Sequence, residues 1–108
     1  MYGVAVDTSR DLSDQADSLK ASSAFLKTIS NEKRLMILYL LDGGEKTVSQ
    51  LEAALSLRQP TVSQQLARLR ADGLVSHRRE GKSIYYALAS DEVRQIMAFL
   101  YQLFPRKY

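Results

Sequence analysis

Two short amphipathic segments, TVSQLEAAL at 47–55 and QPTVSQQLARLRA at 59–71, are joined by Ser56-Leu57-Arg58 alone. This spacing constrains the fold more than any other feature of the chain. Apolar residues recur at helical intervals in both segments, so each reads as a helix with one buried face. A connection of three residues keeps the second helix close against the first. The first opens on a capping box, in which the Thr47 hydroxyl and the Gln50 amide each satisfy an open backbone amide. In the second, Pro60 falls in the first turn, where a missing amide proton is harmless, and Gly73 suits a left-handed C-terminal cap. Val62, Leu66 and Leu69 form its inward stripe. Glutamine, serine, threonine and arginine occupy most of what remains, and such a face needs a polar destination.

The flanking chain reads as a scaffold. Leu12, Ala16, Leu19, Ser23, Leu26 and Ile29 follow helix spacing from about Asp11 to Ile29. A second helix, capped by Ser30 or Asn31, runs through Leu41 and stops at Asp42-Gly43-Gly44. After Gly73 the period changes to two: LVSHRR and SIYYAL flank Glu80-Gly81-Lys82, a β-hairpin with a basic tip. Ser90-Asp91-Glu92 opens a fifth helix that runs to about Phe104 and is stopped by Pro105. The expected fold class is mostly α (α+β), with five helices and a two-stranded hairpin between the fourth and fifth. Residues 11–105 form one domain of ordinary size for 108 residues, with 1–10 a frayed N-terminus and 106–108 a C-terminal tail.

Charge is unevenly distributed. The net charge is +3, yet residues 58–82 alone carry six basic and two acidic side chains, leaving the rest of the chain slightly acidic. A tight helix pair followed by a basic hairpin is a winged helix-turn-helix, and its basic segment is an electrostatic footprint for a polyanion. An α-helix fits the major groove of double-stranded DNA. With Val62 inward, Thr61, Gln64 and Arg68 face the other way, and glutamine and arginine match adenine and guanine edges. Ser63, Gln65 and Arg70 flank that face, while Gln59 and Thr61 lie at the helix N-terminus, where backbone amides attract phosphate. Arg58 adds a cation there. Arg78, Arg79 and Lys82 of the wing suit the sugar-phosphate backbone, where contacts position the protein but specify little.

The strings NEKRLMILYLL and VSQLEAALSLRQPTVSQQLARLRADGLVSHRREGKSIYYAL resemble the ArsR/SmtB family of bacterial winged-helix repressors, nearest the branch that includes HlyU, BigR and NolR. The likeness runs from about Ala24 to Phe104. It implies a homodimer on a palindromic operator that leaves when an inducer is sensed, and it maps the recognition residues onto Gln59, Thr61, Ser63, Gln64 and Gln65. The departures concern sensing. The Cys-x-Cys pair of metal-sensing members falls on Thr47 and Ser49, and Val93 stands where others carry a histidine. The cysteines of the HlyU and BigR branch fall on Tyr39 and Pro105. The chain has no cysteine and one histidine, His77, so a thiol switch is absent and a tight transition-metal site is not expected. No cofactor is implied.

The fifth helix is apolar around more than one side. Val93, Ile96, Met97, Leu100, Leu103 and Phe104, together with Leu12, Leu19 and Leu26 of the first helix, are the expected dimer interface. No phosphate loop, nucleophile elbow or paired carboxylates appear, so an enzyme is not expected. Neither an apolar run of bilayer length nor the pattern of a signal peptide is present, which points to a cytoplasmic bacterial protein with no membrane partner. Two alternatives stand beside the repressor: one gated by a non-metal small molecule held between the second and fifth helices, and a winged helix used as a protein-interaction module. The latter calls for a neutral or apolar wing.

Overall fold

The computed structural model describes residues 12–105 and 107. The expectations for residues 1–10 as a frayed end, and for most of 106–108, lie outside them. The elements run in the order α1 (Leu12–Ile29), α2 (Glu32–Asp42), β1 (Lys46–Thr47), α3 (Val48–Leu55), α4 (Gln59–Ala71), β2 (Val75–Glu80), β3 (Ser83–Leu88) and α5 (Asp91–Leu103). The structure is therefore the five-helix winged helix-turn-helix that the patterning predicts, with one addition. The two-stranded hairpin is part of a three-stranded antiparallel sheet of order β1-β3-β2. Strand β1 pairs only Lys46 with Tyr86 and Thr47 with Tyr85. Two residues are too few to show alternation, so this strand left no period in the sequence.

Local chemistry explains the element boundaries. Asn31, rather than Ser30, caps α2, its side chain accepting from the Arg34 amide at 3.0 Å. Thr47 and Gln50 form the expected reciprocal capping box on α3, at 3.1 and 2.9 Å. Helix α3 ends on Ser56 in the left-handed conformation, with φ 56°. That residue turns the chain sharply enough for α4 to begin three residues later. Arg58 precedes α4 without a side-chain cap bond. At its far end Gly73 takes φ 79°, the left-handed turn for which a glycine is suited. The hairpin turns on Gly81, with φ 63°.

The core forms where α2, α3, α4, the hairpin and α5 meet. Ile37, Leu38, Leu51, Val62, Leu66 and Leu69 are completely buried, and Leu41, Leu74, Val75 and Leu88 nearly so. Val93 and Met97 also belong to this core, each 3% exposed. That corrects their expected place in the dimer surface: they lie on the stripe by which α5 packs onto its own chain. By contrast, α1 buries only Thr28 and Ile29, in its last turn.

Candidate nucleic-acid interface

Helix α4 is held from behind by its Val62-Leu66-Leu69 stripe and packs against α3, α2 and β2. Its outward residues divide by environment. Gln59, Gln64, Arg68 and Arg70 are exposed, whereas Thr61, Ser63 and Gln65 are half-buried along the flanks. Arg58 is exposed at the entry to the helix. On the wing, Arg78, Arg79 and Lys82 are all exposed. The fold thus brings the predicted residues of α4 and the wing onto neighbouring elements, because β2 follows α4 after a short turn and packs on it.

The cations are not equivalent. Arg58, Arg70, Arg79 and Lys82 make no ion pair among the described residues. Arg78 is engaged three times over: bidentately by Glu45, at 3.1 and 2.5 Å, and by Glu80 at 2.7 Å. Its guanidinium also lies 4.7 Å from the centre of the Tyr85 ring. The hydrogen bonds from Arg78 hold the Glu45 carboxyl below its ordinary pKa, and the two carboxylates raise that of Arg78. Arg78 therefore ties the wing to the chain just before β1. Arg68 pairs with Asp72 one turn on, Nε to Oδ2 at 2.8 Å. Gln65 accepts a hydrogen bond from Arg34 Nη1 at 3.1 Å.

Glu45 and Arg34 join this surface through contacts made across the fold. A basic residue in the first turn of a helix opposes the helix dipole, and Arg34 in that place was the available signal. Nothing local marked Glu45, whose partner is 33 residues away. Tyr85 and Tyr86 point to opposite faces of β3: Tyr85 lies under Arg78, and Tyr86 stacks at a tilt on His77, with ring centres 5.5 Å apart.

Among the expected dimer residues, Leu12, Leu19, Leu26, Leu103 and Phe104 are exposed apolar side chains, and Ile96 and Leu100 are half-buried. Phe99 of the same helix is exposed as well. Among the described residues there is no group of three or more His, Cys, Asp or Glu side chains placed to hold a metal ion. Nor, among these residues, is any helix long and apolar enough to cross a membrane.

The family model for bacterial regulatory proteins of the arsR family matches residues 31–77. The biofilm growth-associated repressor of Agrobacterium fabrum is 48% identical over 79 residues, covering 73% of this chain and 68% of that protein. The structure of reduced HlyU from Vibrio cholerae superposes with a TM-score of 0.81 at 36% identity, over 86% of this chain and 98% of that one. The homodimeric winged helix-turn-helix DNA-binding domain of Mb0332 from Mycobacterium bovis gives 0.76 at 31% identity, over 95% and 89%.

Proposed function

The chain belongs to the ArsR family of bacterial regulatory proteins, and on that premise we propose that it is a homodimeric repressor that binds a palindromic operator through α4 and the wing. It is a transcriptional regulator and not an enzyme. One observation carries the finer reading: the exposed glutamines of α4 lie on the same stretch of chain as four cations without an ion-pair partner among the described residues, Arg58, Arg70, Arg79 and Lys82. Phosphate is the natural partner for such charges, and base edges for the glutamines.

In this reading Gln64, fully on the outward side, reaches base edges, assisted by Gln59, Thr61 and Ser63 near the helix start. Arg79 and Lys82 lie along the backbone. A second copy joins through α1 and α5, whose leucines and phenylalanines stay exposed among the described residues. Two α4 helices then enter successive major grooves about 34 Å apart. Bound there, the dimer obstructs polymerase at an overlapping promoter. Selection from a random duplex library, followed by sequencing, tests the proposal. A two-fold symmetric sequence is expected, bound far more tightly than random DNA at physiological salt. Enrichment of no sequence would overturn it.

A second reading, in which a non-metal small molecule gates the repressor, is favoured by one feature. A largely apolar cavity of about 640 Å³ opens between α2, α3 and α5, lined by Leu35, Met36, Tyr39, Leu55, Met97 and Leu100. Thermal melts against a panel of apolar metabolites test it. A ligand that raises the melting temperature and also releases the selected duplex supports gating.

A further inference from the structure

We propose that Gln65, although it lies on the polar side of α4, reads no base: it is a positioning residue, one half of a polar clasp that fixes the roll of α4 against the junction of α1 and α2. The proposal rests on α4 being the groove-reading helix. Arg34 stands at the centre of the clasp. Its Nε donates to the Thr28 backbone oxygen at 2.6 Å, and its Nη1 donates to Gln65 Oε1 at 3.1 Å. The Thr28 carbonyl belongs to the last turn of α1, where carbonyls lack helical partners and the dipole favours a cation. One guanidinium therefore joins the end of α1 to the middle of α4.

The second half joins the same residue of α1 to the end of α4. Thr28 is 1% exposed, and its hydroxyl lies against Asp72 Oδ2 as well as 3.1 Å from the Ala24 carbonyl. A hydroxyl has a single proton, and the charged acceptor takes it. Arg68 Nε donates to the same carboxylate oxygen at 2.8 Å. A carboxylate at the C-terminal end of a helix opposes the dipole, so Asp72 is a costly choice for a simple cap. Its two donors account for it.

Gln65, Arg68 and Asp72 lie along one flank of α4, beside the Val62-Leu66-Leu69 stripe. Apolar contacts are non-directional and leave a helix free to roll slightly on its stripe. Hydrogen bonds are directional and remove that freedom. A small roll would displace Gln64 at the outward face, so the clasp governs whether the reading groups meet their bases together.

The test combines the duplex selection with equilibrium titration of the selected sequence. Gln65→Leu, Arg34→Met and Thr28→Val are each expected to weaken binding to that sequence about 3- to 10-fold while leaving the preferred base at every position unchanged. The Gln65→Leu/Arg34→Met double variant is expected to be no weaker than the weaker single one. Gln65→Glu keeps an acceptor for Arg34 and is expected to bind within about threefold of the unaltered protein, and Thr28→Ser restores what Thr28→Val loses. A lost base preference at one position in Gln65→Leu, or a loss of more than tenfold in Gln65→Glu with its melting temperature intact, would show that Gln65 touches DNA and would overturn the proposal. Failure of the unaltered protein to enrich any sequence overturns instead the reading on which it rests, and the clasp's role with it. Gln65→Glu and Thr28→Ser retain the hydrogen bonds, so misfolding of the harsher variants does not blunt the test.

Discussion

Gln64 and Arg79 are both exposed, and in the proposed interface they do different work. Gln64 presents both a donor and an acceptor, the pattern that pairs bidentately with adenine. Gln64→Ala is expected to cost about 1–3 kcal/mol of discrimination, confined to particular operator positions and visible in titrations against single-base variants. Arg79 offers charge without partner among the described residues. Arg79→Ala is expected to weaken every sequence alike and to lower the slope of log affinity against log salt by about 1. Asp72 gives a third residue-scale expectation. The Thr28 hydroxyl first, and Arg68 second, hold its carboxyl below the ordinary value. The folded state therefore favours the charged form. That stabilisation is fully present above the unfolded carboxyl's pKa of about 3.9 and disappears as pH falls through the lower folded value. Asp72→Asn is expected to be less stable than the unaltered protein at pH 7, with the difference shrinking below about pH 4, as measured by urea denaturation at pH 7 and pH 3.

The decisive elements are the turn before α4 and the wing after it. Ser56, at φ 56°, is the only non-glycine residue with positive φ among the described residues, and it sets the angle between α3 and α4. Serine already carries the Cβ that crowds the following carbonyl in this region, and a β-branched side chain adds to that crowding. Ser56→Val is therefore expected to lower the melting temperature by several degrees, and Ser56→Gly to leave it nearly unchanged. The wing depends on a different kind of contact. Arg78 reads in the sequence as one more cation for phosphate, but the sheet sets it between Glu45, Glu80 and the Tyr85 ring. Its exposed pairs contribute little to stability each, and their effect is to orient the hairpin.

Across the whole molecule, the distribution of apolar surface sets the state of assembly. Helix α1 has 18 residues and buries only its last turn, leaving Leu12, Leu19 and Leu26 more than half exposed. On α5 the two apolar stripes part company. Val93 and Met97 turn into the chain's own core, while Phe99 and Leu103 turn out. Leu26→Glu with Leu103→Glu is expected to give a monomer by analytical ultracentrifugation. Its melting temperature should fall and lose its dependence on protein concentration, because a folded partner no longer stabilises the chain, and its affinity for the full operator should fall at least tenfold as the two reading heads are uncoupled. A dimer that persists in this variant would place the interface elsewhere.

The sequence by itself determined the helices, most of their caps, the hairpin and the close pairing of α3 with α4. These follow from periodicity, capping chemistry and turn residues within a few positions of one another. Thr47, Pro60, Gly73 and Ser90 act through neighbours along the chain, and their roles were legible for that reason. Only the tertiary structure decided which polar residues remained available. Gln65 met Arg34 from 31 positions away, Asp72 met Thr28 from 44, and Arg78 met Glu45 from 33. It also added β1, paired with β3 almost forty residues later in the chain, and divided α5 between core and surface. Pairings over such distances depend on how packed elements approach one another, and no local pattern records that geometry.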